Sequence, residues 1–235
     1  MKIKKSSLII NTALILIVAL VFSVSFIPGK ITPIYGGESL SAYYNGNRSK
    51  PQVSLMFNVY ESAETVEKIV DTLNAYGAKA TFFIGGCWAD DNGKTLNKIA
   101  ESGHEIANHG YFHKDHKKLD YAQNKEEINL TGIVIEALCG VRPTLFAPPS
   151  GSYSTVTLTV ADELNYKVVM WSKDTIDWRD ANEKLVYERA TNSLTNGDLI
   201  LMHPKEHTLK ALPNILEYIA KANLRAVTVS ENLAE

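Results

Sequence analysis

The chain has little cysteine, no excess of either charge and no internal repeat, and each lack excludes something. Two cysteines in 235 residues, Cys87 and Cys139, make no disulfide framework, and two free, partly buried thiols are expected. A formal net charge of -2, with no basic tract in the folded part, removes the electrostatic case for nucleic acid. No repeat of fixed period marks a solenoid or propeller. No Asn-Gly hairpin signal separates adjacent predicted strands, which argues against an antiparallel meander. What remains is an ordinary globular composition, 45% hydrophobic and 21% charged.

One apolar run stands out at the start. Lys2, Lys4 and Lys5 precede a stretch from about Leu8 to Ile27, interrupted only by Asn11, Thr12, Ser23 and Ser25. This is long for the h-region of a secretory signal and near the length of a spanning helix. Residues 1–27 therefore read as a signal peptide or signal anchor, with the anchor favoured and Ser23-Val24-Ser25 a candidate cleavage point. The lysines predict an outward-facing remainder, so the chain is expected to be extracytoplasmic, membrane-anchored or secreted. Residues 28–50, rich in Gly, Ser, Tyr, Asn and Pro, read as a linker. Residues 51–235 form the expected domain, about 185 residues and enough for a sizeable core.

Within that domain strands and helices alternate. Strands are predicted at Val53–Asn58, Ala80–Ile84, His104–Ala107, Thr144–Ala147, Lys167–Trp171, Asp198–Met202 and Arg225–Val229. Helices are predicted at Glu61–Tyr76, Lys94–Ser102, Lys125–Leu138, Ser154–Leu164, Asn182–Leu194 and Lys210–Ala222. Alternation of this kind implies parallel strands joined by right-handed crossovers, in an incomplete seven-stranded barrel or an open doubly wound sheet.

The polar residues gather at the predicted C-terminal strand ends, where a β/α barrel carries its site. Asn58, Asn108-His109, Pro148-Pro149-Ser150-Gly151, Asp174 with Asp177 and Trp178, and His203 all fall there. His109 and His113 are four apart; on one helical turn that spacing converges two imidazoles on one ion. Asp115 and His116 are candidate further ligands or members of a solvated turn. His203, directly after a buried strand, reads as functional.

These motifs resemble the polysaccharide deacetylases with a nodulation-protein B homology domain, also called carbohydrate esterase family 4. The likeness covers about residues 52–230. It is carried by Lys79-Ala80-Thr81-Phe82-Phe83, Gly103-His104-Glu105-Ile106-Ala107-Asn108-His109, His113, Pro148-Pro149-x-Gly151, Asp174-x-x-Asp177-Trp178 and Leu201-Met202-His203. The resemblance implies a distorted (β/α)7 barrel and a hydrolase that removes acetyl groups from an N-acetylated cell-wall or chitin-like polysaccharide. It implies a divalent metal, expected to be zinc, on His109 and His113. It implies His203 as the acid for the leaving amine and Asp177 as its orienting partner. The Ser150 backbone N–H is the implied oxyanion donor. Pro149, Trp178 and Leu201 are the implied substrate contacts.

The departures from the family pattern are equally specific. Where the family reads Thr-Phe-Asp-Asp-Gly, this chain reads Met56-Phe57-Asn58-Val59-Tyr60. Asn58 stands at the position of the catalytic base and accepts no proton near neutral pH. Val59 stands at the third ligand and has no donor atom. The Arg that pairs with the base is Ala147. Three outcomes follow: an active enzyme with a substitute carboxylate (Glu61, Glu64, Asp90, Asp91 or Asp115), a glycan-binding pseudoenzyme, or a scaffold. Trp88, Tyr111, Trp171 and Trp178 are candidate sugar-stacking aromatics, or core.

Overall fold

The computed structural model describes residues 40–234. The apolar run at residues 1–27 and most of the 28–50 segment lie outside the described residues. Among the described residues, no helix is long and apolar enough to cross a membrane.

The centre of the molecule is β1 (Gln52–Val59), all eight of whose residues are buried. It pairs in parallel with β2 (Thr81–Ile84) on one side and β7 (Leu199–Met202) on the other. The sheet continues outward from β2 through β3 (Glu105–Asn108) and β4 (Leu145–Phe146) to β5 (Lys167–Val168). Beyond β7 lies β6 (Lys173–Asp174), and β8 (Arg225–Ala226) pairs with the start of β1. Every one of these strand pairings is parallel, and the path from β5 to β6 does not close on itself. This is the expected distorted (β/α)7 barrel. The predicted fifth strand, Lys167–Trp171, is shortened to Lys167–Val168, which pairs with β4, and the short strand Lys173–Asp174 beyond its predicted end pairs with β7.

Helices follow the strands: α1 (Ala63–Ala75), α2 (Gly86–Asp91), α3 (Gly93–Glu101), α4 (Tyr121–Cys139), α5 (Thr155–Glu163), α6 (Glu183–Thr191), α7 (Glu206–Lys221) and α8 (Val229–Leu233). Local chemistry sets their ends. The Ser62 side chain accepts the Thr65 N–H at the start of α1. Asp120 with Gln123, and Ser154 with Thr157, form capping boxes that start α4 and α5. Gly140, at φ +70, ends α4 in the left-handed conformation that glycine adopts without steric cost.

Side-chain alternation along β1 divides the core into two layers. Leu55, Phe57 and Val59 face outward and pack under Val66, Ile69, Val70 and Leu73 of α1. The Phe57 ring stacks on Phe82 at 5.2 Å. Met56 faces inward, with Phe83, Ala107, Leu145, Ala147, Val169 and Leu199 filling the barrel. This parity decides the site, because it turns Asn58 toward the barrel mouth and Val59 away from it.

Candidate active site

A cavity of about 440 Å³ opens over the C-terminal strand ends. Its lining includes Asn58 of β1 and Tyr60 just after it, His109 and His113 after β3, Ser150 after β4, and Leu201 of β7 with His203 just after it. Trp171, Asp174, Trp178 and Glu61 complete the wall. Of the predicted site residues, seven thus share one space. Asp177 sits behind His203, and Pro149 is buried beside the cavity without lining it.

His109 ends the β3 ladder and is 1% exposed. Its Nδ1–H donates to the Ala147 carbonyl at 2.6 Å, which fixes the tautomer and leaves Nε2 as an acceptor. Burial drives its pKa down to about 3, because the imidazolium has lost its water. His113 is also lowered, by burial first and by the nearby His203 as well. The two rings meet edge to face with centroids 5.4 Å apart. They meet across a loop, however, and not on a helical turn: His113 has φ 54, in the left-handed region a non-glycine residue adopts only when held there.

The loop is held by side chains. Glu127 of α4, 2% exposed, accepts the Tyr111 N–H at 3.0 Å and the Phe112 N–H at 2.8 Å through one carboxylate oxygen. Its other oxygen pairs with Lys114 at 3.0 Å. The Tyr60 hydroxyl accepts the His113 N–H at 2.9 Å and donates to the Gly110 carbonyl at 2.5 Å. Neither Glu127 nor Tyr60 carries a signal in the sequence that marks it for this work. His116 is no cavity ligand; it is buried, with Nδ1 against the Asn124 side chain at 2.8 Å.

Across the cavity, His203 and Asp177 form a complete dyad. The His203 Nδ1–H donates to Asp177 Oδ1 at 2.7 Å, and the His203 backbone N–H donates to Oδ2 at 2.7 Å. Thr208 adds a third donor at 2.6 Å. Burial pushes the Asp177 carboxyl up, but these donors outweigh it and the net shift is downward. With Nδ1 committed, Nε2 is the nitrogen His203 offers to a ligand.

The metal expected on His109 and His113 does not find a full donor set. Val59, fully buried, belongs to the outer apolar layer. Among the described residues no group of three or more His, Cys, Asp or Glu side chains is arranged to hold a metal ion. The proposed substitute carboxylates do not fill the gap. Glu64 pairs with Lys68 on the surface of α1, Asp90 takes the Tyr111 hydroxyl, and Asp115 takes Ser152 and Lys118. Glu61 reaches the cavity, but its carboxylate is paired with Lys205. Asn58 is 5% exposed, and its Oδ1 is buried with no hydrogen-bond partner.

The remaining aromatics divide. Trp88 is core, Trp171 and Trp178 line the cavity, and Tyr111 packs over Gly86. Trp178 is 56% exposed at the rim, with the Arg179 guanidinium 5.9 Å from its ring centroid. Gly151 admits Trp171 to the wall, since a Cβ there would lie 2.8 Å from the indole. Cys87 and Cys139 are both free, as expected.

The polysaccharide deacetylase family pattern matches residues 45–169. The chain belongs to the polysaccharide deacetylase family. It is 38% identical over 192 residues to the uncharacterized protein YlxY of Bacillus subtilis, covering 82% of this chain and 60% of that one. It is 30% identical over 206 residues to a peptidoglycan-N-acetylglucosamine deacetylase of Bacillus cereus, covering 86% of this chain and 75% of that one. Among solved structures, a CE4 family pseudoenzyme from Bacillus anthracis superposes with a TM-score of 0.82 at 30% identity, over 84% of this chain and 70% of that one. A mutant of that pseudoenzyme described as having restored enzymatic activity matches equally, with a TM-score of 0.82 at 28% identity over 84% and 73% of the two chains.

Proposed function

We propose that this deacetylase-family chain is a glycan-binding pseudoenzyme, which holds an N-acetylated cell-wall polysaccharide in its cavity without hydrolysing it. One observation carries the reading: among the described residues His109 and His113 gather no third ligating side chain into a metal-holding group, and an amide stands beside them where a proton acceptor is needed. An amide side chain takes up no proton near neutral pH, and a missing base alone typically costs about 10²–10⁴ in rate. The family resemblance to peptidoglycan deacetylases, and to a pseudoenzyme among the solved structures, supports the substrate class and the loss of chemistry together.

The retained groups suit binding. Trp171, Trp178 and Leu201 offer apolar surface to a sugar face and an acetyl methyl. His203 Nε2 offers an acceptor oriented through Asp177, and Ser150, held at φ 55, brings its backbone to the opposite wall. The Lys-rich, apolar N-terminal run supports presentation on the outer side of a membrane.

The intact His203–Asp177 dyad favours a second reading, a slow hydrolase removing acetyl groups with another base. The two readings separate in one assay. Full-length protein is incubated with N-acetylated chitin oligomers and peptidoglycan fragments, with zinc supplied, and acetate release is measured beside calorimetric binding. Binding with no more acetate than a His203→Ala variant releases is the expected result. Acetate clearly above that variant would overturn the pseudoenzyme reading and establish the hydrolase.

A further inference from the structure

A metal ion shared between β1 and the His109–His113 loop would cross-link strand to loop. Val59 cannot make that link, since its side chain points into the outer apolar layer. The next residue, Tyr60, does reach the histidines. Its hydroxyl donates to the Gly110 carbonyl at 2.5 Å and accepts the His113 N–H at 2.9 Å, with the His109 carbonyl a further 3.3 Å contact. Its ring packs against both imidazoles, at 5.6 Å from His109 and edge-on at 4.8 Å from His113. The same ring lies so close over Gly85, after β2, that a Cβ there would fall inside it. One side chain therefore ties the ends of β1, β2 and β3 together.

We infer that Tyr60 replaces the metal as the organising centre of this site, so that the histidine loop is set and ligand is bound without any ion. The accounting of the loop amides points the same way. Glu127 takes the Tyr111 and Phe112 N–H groups, and Tyr60 takes that of His113, so three successive donors are satisfied by the chain itself. The left-handed His113 backbone is fixed by these bonds. Tyr60 is a positioning residue, whose hydroxyl both donates to the loop and accepts from it.

The ligand part of this inference rests on the glycan-binding reading; the loop part does not. The test uses full-length protein, Tyr60→Phe, a tetramer of N-acetylglucosamine as probe, and hydrogen exchange of the 110–113 amides. Wild-type exchange and tetramer affinity are expected to agree within about twofold between excess chelator and added zinc. Tyr60→Phe keeps the ring but loses both hydroxyl bonds, so His113 exchange is expected to quicken about tenfold or more, and tetramer binding to weaken similarly. Added zinc restores neither, and the unfolding temperature moves little. Tenfold weaker binding or faster loop exchange of the wild type in chelator would overturn the inference, because the loop would then depend on an ion. Unchanged exchange in Tyr60→Phe would overturn it as well. If the wild type binds no tetramer, the glycan reading fails, and the exchange data alone still decide the role of Tyr60.

Discussion

Asp177→Asn changes one oxygen to nitrogen, and its consequences can be worked through atom by atom. Asp177 is 1% exposed and accepts three hydrogen bonds, from His203 Nδ1–H, His203 N–H and the Thr208 hydroxyl. An asparagine retains one acceptor oxygen. If that oxygen keeps the His203 N–H and Thr208, its NH2 group faces His203 Nδ1, and two donors oppose each other. The neutral imidazole relieves the clash by moving its proton to Nε2, so that Nδ1 accepts. Each hydrogen bond to a charged group contributes about 1.5–3 kcal/mol, against about 1 for a neutral one, and the amide is cheaper to bury than a carboxylate. The net expectation at pH 7 is a loss of about 1–3 kcal/mol in urea unfolding. The pH dependence has a definite sign. The folded Asp177 pKa lies below its ordinary value, so its stabilisation is present above an unfolded pKa of about 3.9 and fades as pH falls through the folded value. The gap between wild type and variant should therefore be steady from pH 5 to 8 and narrow below about pH 4. Nitrogen-15 chemical shifts of His203 report the tautomer: unprotonated Nε2 in the wild type, unprotonated Nδ1 in the variant. Equal stability at pH 7 within 0.5 kcal/mol, or an unchanged tautomer, would refute this account.

Two further outcomes are expected. His109 is buried with its pKa lowered to about 3, so the folded state binds its proton more weakly than the unfolded chain does. Its contribution to stability is full above about pH 6.5 and falls by about 1.36 kcal/mol per unit below it, about 2 kcal/mol by pH 5; His109→Gln should flatten that part of the wild-type stability–pH curve. Gly85→Ala forces a methyl group into the Tyr60 ring and should cost about 1–3 kcal/mol of stability, with weaker glycan binding by calorimetry, whereas an undisturbed variant would show that the ring moves aside freely.

The strands legible in the sequence were those with long apolar runs and clear stops, such as Val53–Asn58 and Asp198–Met202, because burial on both faces leaves an unbroken signal. The short strand Lys173–Asp174 was not legible: two-residue strands have no period to detect. Helix α2 was hidden because Gly85-Gly86 reads as a stop, although these glycines are there to admit the Tyr60 and Tyr111 rings. At the site, Asn58 and Val59 could be recognised as losses only against the paired aspartates of the family motif. That Val59 faces the helices follows from strand parity, but Tyr60's part does not, because its partners are backbone atoms fifty residues away. The His109–His113 spacing suggested the right neighbours for the wrong reason, since a left-handed turn and not a helix brings the rings together.

The segment before β1 bears on self-association. Tyr43 N–H donates to the Val168 carbonyl at 2.9 Å, and the Met170 N–H donates to the Tyr43 carbonyl at 2.8 Å. Those are the outward-facing groups of β5, whose inward-facing amides at Lys167 and Val169 already pair with the β4 side. Arg48 fastens the same segment through Thr195, Asn196 and Asp198. A bare strand at the end of an open sheet is a template for adding another chain. By laying one residue along that template and bolting it down a few residues later, the chain covers the β5 edge of its own sheet. A fragment beginning at β1 would leave that edge open and would be expected to polymerise or precipitate where the longer chain stays dispersed.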